Sequence, residues 1–96
     1  MKENFGNVYD AMSHNYGELE RLLGYIYEYM QNNPNDEFAR DMFNKVNIIG
    51  QNMIFSQKEF TSSYCEESIK DNLIENLDSK VEFLKKNDEE FKSISR

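Results

Sequence analysis

A seven-residue apolar period runs through the first third of this chain and constrains its fold more than any other feature. Phe5, Met12, Leu19 and Ile26 recur at that interval, Val8, Leu22 and Tyr29 fill the intervening turns, and Tyr9, Tyr16, Leu23 and Met30 lie beside them. A strand alternates every second residue, whereas a stripe sustained over nearly four heptads is the mark of a helix that buries one side. Tyr25, Tyr27 and Tyr29 do alternate as a strand would. The heptad period runs straight through them, however, and the segment reads as helix. The spacing predicts a first helix over residues 4–32, with Asn4 or Asn7 as its cap.

Gln31 to Glu37 is the clearest punctuation. Asn33 is expected to cap a second helix with Pro34 at its first position, where the missing N–H is no loss. Asp36 and Glu37 then fall in a first turn that favours negative charge. So short a link implies a helical hairpin. Over residues 34–60, Phe38, Met42, Val46, Ile49, Met53 and Phe60 form the expected core face. A second apolar set lies off that face: Ile48 and Phe55 on one flank, Phe43 and Ile54 on another. Gly50 interrupts this helix and is expected to allow a close helix approach or a bend.

Thr61-Ser62-Ser63 reads as a break, with Ser63 and Glu66 at capping-box spacing. A third helix follows over residues 63–92, with Lys92–Arg96 frayed. Its stripe is Ile69, Leu73, Ile74, Leu77, Val81, Leu84 and Phe91. Glu66–Lys70, Glu82–Lys86 and Asp88–Lys92 are i,i+4 pairs on its outer face. The expected fold is therefore all-α: one domain over residues 1–96, a three-helix antiparallel bundle, with homodimerisation through the second helix. Ninety-six residues can bury a modest core.

Charge and residue types narrow the function. A net charge of −7 opposes direct binding of nucleic acid or of an anionic membrane, both of which require a basic face. Cys65 is the single cysteine, so no internal disulfide can form, which suits a reducing cytoplasm. The first residues lack the apolar core of a signal peptide. No apolar run reaches the ~18 residues of a membrane span.

Chemistry finds few footholds. Asp10, His14 and Glu18 form an i, i+4, i+8 row, but a zinc site wants more His or Cys ligands than this chain offers. Cys65 precedes Glu66 and Glu67, which disfavour a thiolate. The four glycines are scattered and make no phosphate loop. Neither enzyme, metal nor cofactor is expected. Small secreted helical-hairpin effectors of the WXG type carry a Trp-x-Gly turn; this chain has no Trp and turns at Asn33-Pro34-Asn35, so that resemblance is not claimed.

Partner binding remains. Aromatic residues and Met are favoured at interfaces. The expected function is a non-catalytic protein–protein interaction module, such as a regulator, adaptor or inhibitor, that binds itself or a foreign protein through Ile48 and Phe55, supported by Phe43 and Ile54, with Tyr25 as a further candidate. The alternative is an acidic mimic of nucleic acid, of the phage or mobile-element kind. It would occupy the basic groove of a nucleic-acid-binding protein through Asp71, Glu75, Asp78 and Glu82.

Overall fold

A computed structural model describes residues 4–94 and is all-helical over them, apart from the links. The helices are α1 (Phe5–Asn32), α2 (Glu37–Tyr64) and α3 (Glu67–Ile94). Each has 28 residues, about 42 Å at 1.5 Å per residue, which matches the 48 Å long axis of the molecule. The helix count expected from the sequence holds, but the boundaries shift. α2 is not capped by Asn33 over Pro34. It begins three residues later, where the Asp36 carboxylate accepts from the Ala39 N–H at 3.1 Å. Asn33 instead closes α1: its N–H bonds to the Met30 carbonyl and its side-chain amide donates to the Tyr29 carbonyl. Thr61-Ser62-Ser63 is no break. It lies inside α2, which runs on to Tyr64, and the buried Thr61 hydroxyl is satisfied by bonding back to the Gln57 carbonyl at 2.7 Å. Ser63 therefore caps nothing, and α3 starts after Cys65 and Glu66. Asn4 stands at the start of α1 with a φ of 67° and no side-chain cap bond, a left-handed conformation that Asn tolerates better than most residues. Asn7 lies inside the helix. At the far end α3 stays helical to Ile94; Ser95 and Arg96, part of the segment expected to fray, lie outside the described residues.

α2 is the central element, in contact with both other helices. Phe5 near the start of α1 stacks on Phe60 near the end of α2, with ring centroids 5.1 Å apart. Tyr27 near the end of α1 meets Phe43 near the start of α2. On the other side Phe43 stacks on Phe91, 4.1 Å between centroids, and Lys58 pairs with Asp78.

The core is built from heptad-spaced lines. α1 contributes Phe5, Tyr16, Leu23, Ile26 and Met30, with Tyr9 and Leu19 packed beside them. α3 contributes Leu77, Val81, Leu84 and Phe91. Both lines were expected, although Val8, Leu22 and Tyr29 of α1 and Ile69 of α3 are exposed.

α2 departs from expectation. Its buried line is Ala39, Phe43, Asn47, Gly50, Ile54, Gln57 and Thr61. The greasier line expected there is displaced outward: Phe38, Met42 and Ile49 are exposed, and Val46, Met53 and Phe60 are half-buried. The physical reason is the position of α2 between two neighbours. A helix that meets two others buries a broad face, here with Phe43 and Ile54 in it, and a small residue at the closest approach lets both neighbours close on it. At Gly50 an added Cβ would lie 2.7 Å from Leu19 Cδ2 and 3.3 Å from Leu84 Cδ1. The inward polar groups are satisfied rather than stranded, as burial requires. Asn47 Nδ2 donates to the Leu84 carbonyl at 2.8 Å, and Asn47 Oδ1 accepts from Gln51. Gln57 Nε2 donates to Ser13 Oγ at 2.8 Å and to the Tyr9 carbonyl. Among the described residues Gln57 Oε1, Tyr16 Oη and Asp88 Oδ1 are the exceptions, buried without a hydrogen-bond partner.

Candidate functional site

The displaced apolar line creates the most conspicuous surface of the molecule. Along α1, Val8, Leu22, Tyr25 and Tyr29 are exposed, and Tyr25 and Tyr29 stand beside Phe38 and Met42 of α2. Along α2, Phe38, Met42 and Ile49 answer them at 4- and 7-residue spacing. At the end nearest the α1–α2 link, Tyr25, Ile26, Tyr29, Phe38, Ala39 and Met42 line a shallow recess of about 320 Å³. Phe38 is 72% exposed and Tyr25 61%, large values for aromatic rings that face each other across a groove. Farther along, Met12 and Met53 line a smaller recess of about 180 Å³. A patch of this extent on a small protein usually marks a contact surface.

One polar group is fixed at the recess. The Asp36 carboxylate accepts from Tyr29 Oη at 2.7 Å and from the Ala39 N–H. Those bonds hold its carboxyl below the usual value, the Tyr29 bond contributing most. The same bond pushes the Tyr29 phenol up. Asp36 thus ties the end of α1 to the start of α2 and orients the Tyr29 ring along the groove wall. Two surface ion pairs lie on these helices: Glu18 with Arg21 at 3.2 Å on α1, and Asp41, which lines a separate recess with Asp88 and Phe91 of α3, with Lys45 at 2.9 Å on α2.

The residues expected to bind a partner are not brought together. Phe43 and Ile54 are 1% and 0% exposed. They belong to the core, where Phe43 is stacked between the other two helices, and they form no surface with Ile48 and Phe55. That expectation failed because the inward line of α2 runs through Phe43 and Ile54 rather than through Phe38 and Met42. Ile48 and Phe55 are 49% and 44% exposed, on the opposite flank of α2, where Lys58 lies over the Phe55 ring. Tyr25 is on the groove. Phe38 and Met42 were assigned inward and so were missed as surface. The line Ala39–Phe43–Asn47–Gly50–Ile54–Gln57–Thr61, equally regular in spacing, was the signal that could have found them.

Asp71, Glu75, Asp78 and Glu82 do share one exposed side of α3, with Asp78 engaged by Lys58. Lys92 pairs with Asp88 at the expected i,i+4 spacing, and Lys70 pairs with Glu67, one residue nearer than the Glu66 expected from spacing. His14 is exposed and Cys65 is buried at the end of α2. Among the described residues no three His, Cys, Asp or Glu side chains gather closely enough to hold a metal ion, and no helix is long and apolar enough to cross a membrane. Burial pushes the Tyr16 phenol far up; Glu20 acts on it through its charge without a hydrogen bond of ordinary geometry.

Compared with protein-family models, with curated proteins and with solved structures, the chain matches none.

Proposed function

We propose that this protein is a non-catalytic protein–protein interaction module whose docking face is the apolar α1–α2 groove. The observation that carries this reading is the cluster of Tyr25, Tyr29, Phe38 and Met42 around one recess, exposed on a chain whose core is already complete. Aromatic side chains and Met are enriched where proteins meet, and a few such anchors carry most of a binding energy. The arrangement beneath the face is an antiparallel bundle, supported by the end-to-start pairings of Phe5 with Phe60 and Phe43 with Phe91. The buried free thiol of Cys65 suits a reducing cytoplasm.

A photo-reactive phenylalanine analogue at position 38 tests the reading. In the native cells it forms a discrete protein adduct, and the same analogue at position 75, on the acidic side of α3, does not. Equal labelling at both positions, or none at 38, contradicts it.

A second reading rests on the acidic row of α3. Asp71, Glu75, Asp78 and Glu82 at spacings of 4, 3 and 4 present carboxylates in register, as a mimic of a phosphate backbone needs. Binding of a basic partner there weakens steeply with added salt. Binding at the apolar groove does not. The pairing of Asp78 with Lys58 takes one member from that row, and the groove is the better-supported surface.

A further inference from the structure

We propose that the occupant of the α1–α2 groove is a second copy of this chain, docked face to face about a two-fold axis. This rests on the reading that the groove is a docking face, and it names the partner.

Area, shape and charge support it. Tyr25, Tyr29 and Phe38 expose 61%, 48% and 72% of their surface, about 350 Å² if each ring offers ~200 Å². Leu22, Met42 and Ile49, exposed by 46%, 36% and 52%, bring the apolar area to about 600 Å². Stable interfaces bury about 800 Å² per partner, a little over half of it apolar. The patch supplies that apolar part by itself, and its polar edges supply the remainder.

An isologous contact must be self-complementary, because the same patch forms both halves. This patch carries both a projection and a hollow. Phe38 is the most exposed large apolar side chain among the described residues, and it lines the recess with Tyr25, Ile26, Tyr29 and Met42. A two-fold axis through the groove places each Phe38 ring in the hollow of the other copy.

Charge decides where two molecules of net −7 can meet. The recess holds one charged residue, Asp36, and its other lining residues are uncharged. On the exposed sides of the same two helices Glu18 pairs with Arg21 and Asp41 with Lys45. The Asp36 carboxylate is held by Tyr29 Oη and by the start of α2. Two copies therefore meet here with one hydrogen-bonded carboxylate each, Asp36, whereas a contact through α3 would set Asp71, Glu75 and Glu82 against their own images.

The test is the solution mass by light scattering after size exclusion, over a dilution series, for the wild type and three variants. The wild type runs at twice 11.4 kDa and falls toward 11.4 kDa on dilution. Phe38→Glu and, independently, Tyr25→Lys run at 11.4 kDa at every concentration with unchanged helix content. Ile48→Glu, on the opposite flank, dimerises as the wild type does. Two variants are used so that a folding defect in either leaves the other to decide. A wild type at 11.4 kDa throughout overturns the proposal, as does a dimer that Ile48→Glu breaks and the groove variants do not. The position-38 cross-link separates the two readings. A monomer that forms a foreign adduct refutes the second copy and keeps the docking face, and a monomer without any adduct refutes both.

Discussion

Asn47 donates a 2.8 Å hydrogen bond from the middle of α2 to the Leu84 carbonyl of α3, thirty-seven residues away. It is completely buried, and its own oxygen accepts from Gln51. A polar bond of this kind fixes the register of two helices, because a slip by one turn leaves a buried amide unpaired. Asn47→Ala removes the bond and opens a small void. The expected loss is about 1–3 kcal/mol, read as a lower urea midpoint at unchanged slope.

Phe43 and Phe38 are separated by little more than one turn of α2 and face opposite environments. Phe43 stacks on Phe91 and contacts Tyr27, and its truncation to Ala costs about 3–5 kcal/mol. Phe38 is 72% exposed, so Phe38→Ala changes the stability of the isolated chain by about 0.5 kcal/mol or less. Chemical denaturation of the two variants checks the orientation of α2. Equal losses would mean that the helix is rotated from the one described.

Gly17 lies in the middle of α1 with nothing within 4 Å of where a Cβ would stand. Gly17→Ala is expected to stabilise by about 1 kcal/mol through helix propensity, raising the melting temperature by about 4–8 °C. Gly50→Val runs the other way. The space beside it is filled by Leu19 and Leu84, and overpacking there costs about 1–3 kcal/mol or more.

The bond between Tyr29 and Asp36 predicts a pH dependence with a definite sign. Asp36 titrates below its ordinary value of 3.8 in the folded chain, chiefly through the Tyr29 hydroxyl and then through the Ala39 N–H. Its contribution is therefore present above the ordinary value and is lost as the pH falls through the folded one. Tyr29 titrates above its ordinary 10.0, so the same bond contributes below that pH and is lost as the pH rises through the raised value. Tyr29→Phe removes the linkage at both ends. Between about pH 6 and about pH 3 the melting temperature of the variant should fall less than that of the wild type. An identical fall would show that the bond is not formed in solution.

The reach of the sequence differed from helix to helix. α1 and α3 each pack chiefly on α2, so their largest apolar residues point at it, and Phe5, Leu23, Met30, Leu77, Leu84 and Phe91 could be assigned by period alone. α2 has two neighbours, and close approach outweighed hydrophobicity there. Ala39, Asn47, Gly50, Gln57 and Thr61 turned inward while Phe38, Met42 and Ile49 turned out. A rule that places the greasiest face inside inverts such a helix. The apolar α1–α2 groove was illegible for the same reason, since the apolar period places Val8, Leu22, Tyr29, Phe38, Met42 and Ile49 in the core and leaves only Tyr25 on the surface. The helix ends were obscured by competing caps. Asn33, Asp36 and Ser63 are all good cap residues, and only the folded chain shows that Asp36 takes the role for α2.

Hydroxyl-radical footprinting read by mass spectrometry tests the central claim most directly, because it reports every aromatic and Met side chain in one experiment. In dilute solution Tyr25, Phe38 and Met42 oxidise readily, whereas Phe43 and Met30 do not. Raising the concentration protects Tyr25, Phe38 and Met42 and leaves Phe55 and Phe83 as reactive as before. Rapid oxidation of Phe43 and Met30 in the dilute chain, or protection that falls on Phe55 instead of Phe38, would contradict both the orientation of α2 and the docking face built upon it.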